Sequence, residues 1–175
     1  MDYSIDKFIG YLNKHEGLSH TNRYSVDVEF PAGISYDKEG LNLICSSAMM
    51  PGHPILTADR VALGNPVKVP YSFATEQAEF IFLLDGNYKA MEAFDAWSEL
   101  IVNNRTHSVA YKKDIIANKW TVWQLNKMNE KTAGVMLYNI FPVMIGKVDF
   151  SDAAHNQIQS LPISVVFDWR QVAPF

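Results

Sequence analysis

Few side chains in this 175-residue sequence are of the kind that does covalent chemistry, and their spacing assembles none of the familiar reactive sites. The single cysteine, Cys45, lies in a run that predicts a strand. There it reads as a small buried apolar residue, and alone it forms neither a disulfide nor a thiolate metal cage. A distant histidine would be needed to make it a nucleophile. The five histidines, His15, His20, His53, His107 and His155, fall in loops or at element ends without ligand spacing, which points to solvated loop residues. No Gly-rich phosphate loop, paired-histidine helix, Cys-x-x-Cys or Gly-x-Ser-x-Gly elbow is present, and the carboxylates offer no identifiable acid/base pair. The expectation is a protein without catalytic residues, metal or cofactor.

Composition points the same way. Apolar residues make up 48% and charged residues 19%, enough for a packed core, and the length suits one domain over residues 1–175. Aromatics reach 13%, which favours pleated surfaces covered by broad rings. Net charge is −4; residues 1–87 hold six Lys/Arg against eleven Asp/Glu, and residues 88–175 nine against eight. No basic stripe of the kind that neutralises a phosphate backbone stands out. The start, Met1-Asp2-Tyr3-Ser4-Ile5-Asp6, has acids where a signal peptide needs cations. The apolar run at 80–84 is far short of the roughly 18 residues that span a bilayer. We therefore expect folding in a reducing cytosol and no membrane anchoring.

The elements that would position any site follow from periodicity. Ile5, Phe8, Ile9 and Leu12 predict a short amphipathic helix over residues 3–15, within an N-terminal segment 1–20. Tyr24, Val26, Val28 and Phe30 alternate with polar residues and predict a half-buried strand over 23–30, closed by Pro31 and Gly33. Further strands are expected at 41–48 and 71–84. Residues 49–70 read as a long irregular connection, punctuated by Pro51, Gly52, Pro54, Gly64, Pro66 and Pro70. A helix from 85–87 to about 102 places Met91, Phe94, Trp97 or Ser98, and Ile101 on one side. Strands at 108–112, 120–125, 135–141, 143–150 (with Gly146 as a bulge) and 161–170 complete the list. The fold class expected is α+β, mainly β: a small antiparallel β-barrel or sandwich with one flanking helix and a short N-terminal helix.

Two features ask for a role. The 49–70 connection carries Met49, Met50, Ile55 and Leu56, apolar residues in a segment that ought to be wet. It either folds back on its own core or meets a partner. The strands also carry polar but weakly charged outer residues, among them Thr121, Gln124, Asn139 and Ser164, and such edges invite pairing with another copy.

Five stretches, in order, resemble the tail tube proteins of contractile-tailed bacteriophages, a fold shared with bacteriocin and type VI secretion tubes. Asn22-Arg23-Tyr24-Ser25-Val26-Asp27-Val28 is similar to the first strand of that family, and Cys45-Ser46-Ser47-Ala48-Met49-Met50-Pro51-Gly52 to a strand leading into its Ala/Pro/Gly bend. Phe80-Ile81-Phe82-Leu83-Leu84-Asp85 with Ala93-Phe94-Asp95-Ala96-Trp97 resembles its strand-then-helix. Tyr138-Asn139-Ile140-Phe141-Pro142-Val143 with Gly146 and Val148-Asp149-Phe150-Ser151 resembles a later strand and turn. Asn156-x-Ile158-Gln159 and Ile163-Ser164-Val165-Val166-Phe167-Asp168-Trp169 resemble its closing strand. The match is absent after Pro51 and over 110–126.

The resemblance implies a structural virion protein and no enzyme. Six copies would form a ring, and rings would stack into the inner tail tube. The tube would template the tail sheath, enclose a tape-measure protein, meet baseplate and tail terminator proteins, and conduct DNA without binding it specifically. It would be assembled in the host cytoplasm and end in the virion. The connection at 49–70, through Met49, Met50, Pro51, Ile55 and Leu56, is then the candidate inter-ring contact. Asp27, Glu29, Glu76, Glu79 and Asp168 are candidate acids of the lumen, where like charge would keep phosphate moving, although each is also explained as a solvated outer face. A baseplate tube initiator and a secretion-system tube share these motifs. A monomeric small-barrel ligand binder or enzyme, and a nucleic-acid barrel built on Lys112, Lys113, Lys119, Trp120 and Trp123, are the alternatives from other classes.

Overall fold

Alternation of large apolar residues builds the centre of the molecule. The structure, a computed structural model, describes residues 4–14, 17–62, 64–74, 76–151 and 157–173. In β5 (Ala78–Leu83), Ala78, Phe80 and Phe82 are buried while Glu79 is exposed. β5 pairs antiparallel with β8 (Ser160–Val166), which buries Leu161, Ile163 and Val165 on the same side, and with β2 (Cys45–Ala48) on its other edge. A second set of strands faces them: β1 (Tyr24–Asp27), β6 (Ala117–Leu125), β7 (Lys131–Ile145) and β9 (Trp169–Val172). Their inward pairs include Val26↔Val122 and Trp120↔Leu137.

β7 is the corner between the two sets. Its first part pairs with β6 and β9, and its last residues pair with β8. Tyr138↔Trp169 and Phe141↔Val166 keep one register, so β8 and β9 are one bent run interrupted at Phe167 and Asp168. The strand order is β1-β6-β7-β8-β5-β2, with β9 also on β7. This is not a closed barrel. β1 and β2 do not pair, and side chains bridge the seam: the Tyr24 hydroxyl donates to the Cys45 carbonyl (2.9 Å), and Asn42 Oδ1 accepts from the Val28 N–H (3.0 Å).

The helix α3 (Lys89–Ile101) covers the concave side, burying Ala90, Ala93, Phe94 and Trp97, with Met91 and Ile101 half-buried beside them. Asp85 Oδ1 accepts from the Lys89 N–H (3.0 Å) and satisfies one of the free donors of the first turn. Phe30, Phe80, Phe82, Phe94, Trp97 and Trp120 form one aromatic cluster, with centroids 5.0 Å apart for Phe30–Trp97 and Phe80–Trp120. Both buried indoles keep a partner: Trp97 Nε1 donates to the Ile115 carbonyl (2.7 Å) and Trp120 Nε1 to that of Glu29 (2.6 Å).

Several sequence expectations need correction. Residues 41–48 are not one strand. Asp37 accepts from the Gly40 N–H (3.2 Å) and caps a short helix, α2 (Lys38–Leu43), before β2 begins. The 108–112 strand reduces to a single bridge, Val102↔Val109, because Asn103 Oδ1 takes the N–H groups of Arg105 and Thr106 (3.0 Å each) and folds the chain into a turn. The short helix α4 (Lys112–Ile115) follows. Pro142 does not end a strand, since β7 passes through it at a register shift against β8. Gly146 is not a bulge within the strand but its exit. Its N–H donates to the Pro162 carbonyl (2.7 Å), and a Cβ there would lie 2.8 Å from that oxygen.

The largest correction concerns residues 49–70. They hold most of a two-stranded antiparallel hairpin, β3 (Ile55–Ala62) with β4 (Asn65–Phe73), separate from the main sheet. The 71–84 stretch is accordingly divided between β4, which ends at Phe73, and β5, which begins at Ala78. Proline suits such a ribbon, because each strand has an outer edge that needs no ladder donor. Gly64, at φ +87°, makes the reversal.

The N-terminal helix α1 (Ile5–Lys14) forms as expected but buries none of its residues. Tyr3, His15, His155 and Asn156 lie outside the described residues. No helix among the described residues is long and apolar enough to cross a membrane.

Candidate functional site

The hairpin of β3 and β4 forms a sheet separate from that of the body, and we refer to it as the arm. Every residue of β4 is exposed. The ladder runs from Ile55↔Phe73 at the base to Ala62↔Asn65 at the tip, with a register shift between Leu56 and Thr57. Alternation places Thr57, Asp59 and Val61 with Pro66, Lys68 and Pro70 on one face, and Ala58 and Arg60 with Val67 and Val69 on the other. One exposed ion pair, Lys68–Asp59 at 3.4 Å, crosses the first face. Val61 is 76% exposed, Tyr71 65% and Phe73 59%. A lone two-stranded hairpin is marginal in water, and an apolar one is a surface that another molecule should cover.

The predicted contact residues stand at the base of this arm. Met49 and Met50 are exposed, and the Met49 N–H donates to the Glu79 carbonyl (2.9 Å). Pro51 is buried. Ile55 and Leu56 open β3 and are exposed. The sequence reading missed Val61, Val67, Val69, Tyr71 and Phe73. Their signal was present as alternation through Val67, Val69, Tyr71 and Phe73, but Pro66 and Pro70 masked it.

The predicted acids do not gather. Asp27 pairs with Lys131 (3.3 Å) and accepts from Trp123 Nε1 (3.1 Å), while Lys131 also sits 4.6 Å from the Trp123 ring centroid. Glu29 pairs with Lys38 (3.4 Å). Asp168 fills the break between β8 and β9, where it accepts from Lys112 Nζ (2.5 Å) and Asn139 Nδ2 (3.0 Å). The Lys112 hydrogen bond, seconded by Asn139, holds this carboxyl below the usual carboxylate range. Glu76 and Glu79 are exposed and have no ion pair among the described residues.

Among the described residues the alternative chemistries do not assemble. The Cys45 thiol is buried and donates to the Ser47 carbonyl (3.3 Å); burial pushes it up to about 12, so no thiolate is poised there. Trp120 lies in the core and Lys112 on Asp168, which disperses the basic–aromatic set proposed for nucleic acid.

Comparison with known proteins bears on this surface. A family model described as phage tail tube protein matches residues 19–171. Among solved structures, a chain of the sheath–tube complex of an extracellular contractile injection system (PVC), in the extended state, aligns with a TM-score of 0.67 at 16% identity, covering 99% of this chain and 100% of that one. A chain from the tube-terminating cap of the anti-feeding prophage aligns at 0.66 and 16% identity, covering 89% and 91%. One from the sheath/tube terminator of PVC aligns at 0.65 and 17% identity, covering 89% and 96%. These likenesses show a common fold. No curated protein sequence matches the chain.

Proposed function

The chain belongs to the phage tail tube protein family, and from that premise we propose that it is the repeating subunit of a contractile tail tube, present as hexameric rings that stack into a hollow cylinder. The observation that carries the reading is the arm: two strands of exposed valine, tyrosine and phenylalanine, paired only with each other among the described residues. A surface of this kind is stable when a neighbouring copy covers it, and a contact between unlike patches propagates into a filament when it does not close. The exposed base residues Met49, Met50, Ile55 and Leu56, with the rest of the arm, then form the inter-ring contact, while Pro51, being buried, anchors the base instead.

A tube in this setting meets a sheath outside, baseplate and terminator proteins at its ends, and a tape-measure protein and then DNA inside. Such a particle forms in the host cytoplasm and carries the tube in the virion. Glu76 and Glu79, without ion pairs among the described residues, are the acids best suited to a lumen that repels phosphate; Asp27, Glu29 and Asp168 already face cations. The main tube is favoured over a cap or terminator, because a chain of the sheath–tube complex covers 99% of this chain while the cap and terminator chains cover 89%.

Electron microscopy of the purified protein over a concentration series tests this. Rings or hollow filaments with sixfold end views are expected. Replacing residues 56–72 by a short flexible link should leave rings that no longer stack. A particle that stays monomeric at every concentration, also with baseplate components added, would sink the proposal.

A further inference from the structure

An arm that stacks copies must point in one direction, yet a ribbon attached by two legs can swing. Its hold on the body is therefore the part of the molecule that decides where the contact forms. The first leg is residues 51–54, and the second includes Phe73 and Ala74. They meet each other through the Ala74 N–H, which donates to the Pro54 carbonyl (3.0 Å).

One side chain of the body grips the first leg at two points, and through His53 that grip is relayed to the second. Arg170 of β9 donates from Nη1 to the Pro51 carbonyl (2.6 Å) and from Nε to His53 Nδ1 (2.8 Å). His53 in turn presents its ring edge-on to Phe73 on the other leg, with centroids 4.2 Å apart. Arg170 has no carboxylate partner among the described residues; the hydrogen bonds of this cation go to neutral acceptors at the base of the arm. Charge-assisted bonds of this sort are stronger than neutral ones, and the rigid fork of a guanidinium fixes an angle as well as a distance. Arg170 is itself fixed, since β9 pairs with β7 through Leu137↔Arg170 and the clamp of Asp168 by Lys112 and Asn139 stands two residues before it.

We propose that Arg170 is the positioning residue of the arm, setting the direction in which the arm is presented to the next copy. This rests on the arm being the stacking contact. It adds a role for β9: the strand carries a cation to the first leg, beside the His53–Phe73 contact that joins the two.

The test measures arm geometry and assembly separately. In full-length subunit kept below its polymerising concentration, Arg170→Ala should speed amide exchange at Ala74 and along the Ile55–Phe73 ladder by about tenfold, the size expected when a charge-assisted hydrogen bond is lost. Amides of β5 and β8 should not change. Spin labels at Arg60→Cys on the arm and Glu99→Cys on α3 should give one narrow distance distribution in the parent and a broad one in Arg170→Ala. Arg170→Lys, with one point donor in place of a fork, should fall between them. If Arg170→Ala does not fold, His53→Ala, which removes the bond from Arg170 Nε and the link to Phe73 while leaving the Pro51 carbonyl to Arg170, should still broaden the distribution. An unchanged distribution and exchange pattern in a folded variant overturns the proposal. A loosened arm with stacking intact would uphold the role of Arg170 and overturn the arm as the stacking contact.

Discussion

The β5–β8 ladder and the arm are made from the same kinds of residue and have opposite fates. β5 and β8 alternate Phe80, Phe82, Leu161, Ile163 and Val165 inward, and every one is buried beneath α3 and the facing strands. The arm alternates Val67, Val69, Tyr71 and Phe73, and every one is exposed. Antiparallel pairing and β-branched or aromatic residues are common to both. The difference is what lies behind the face. The lesson is that alternation specifies a strand with one side to be covered, whereas the rest of the fold decides whether the cover comes from the same chain.

Substitutions that separate core from arm sharpen the contrast. The largest loss of subunit stability is expected from Trp97→Ala, about 3–5 kcal/mol by urea denaturation, because a fully buried indole is removed and the Ile115 carbonyl loses its donor. A loss below about 1 kcal/mol would mean that the aromatic cluster is not the centre of the fold. Next comes Gly146→Ala. The new Cβ meets the Pro162 backbone oxygen, which cannot swing away as a side chain can, and a cost of about 1–3 kcal/mol is expected.

Asp168→Asn should cost less, about 0.2–1 kcal/mol, since its side chain is 38% exposed and solvent screens the pair with Lys112. Its effect is best seen against pH. The folded carboxyl lies below its unfolded value, so the contribution is fully present above the unfolded pKa of roughly 4 and fades as pH falls through the lowered folded one. The parent should therefore lose more stability than Asp168→Asn between neutral pH and strong acid. Parallel curves would break the account of the corner.

Last is Val69→Ser on the arm. Subunit stability should change by no more than about 0.5 kcal/mol, while filament length in electron micrographs collapses. A stability loss as large as that of Trp97→Ala would show that the arm packs on its own body after all.

Much of the body was legible before the structure. The alternation through Tyr24, Val26, Val28 and Phe30 marked an inward face correctly, although β1 stops at Asp27 because the Val28 N–H turns to Asn42. The helix stripe was right at Phe94 and Trp97 but missed Ala90 and Ala93, whose small side chains give a weak periodic signal yet let α3 approach closely. The arm was illegible because its prolines read as breakers. That rule holds for a strand with neighbours on both sides, not for a ribbon with two outer edges. The acids could not be sorted at all, since Lys131, Lys38 and Lys112 reach Asp27, Glu29 and Asp168 across 104, 9 and 56 residues of chain.

By itself the sequence determined that this protein has a mainly β body with an aromatic core and one covering helix, because period and residue type are local properties. Only the tertiary structure decided which apolar strands are left uncovered, which acids are neutralised, and that Arg170 on the last strand grips the base of the arm at Pro51 and His53. Those outcomes depend on contacts between distant segments, and no local pattern encodes the distance at which two such segments meet.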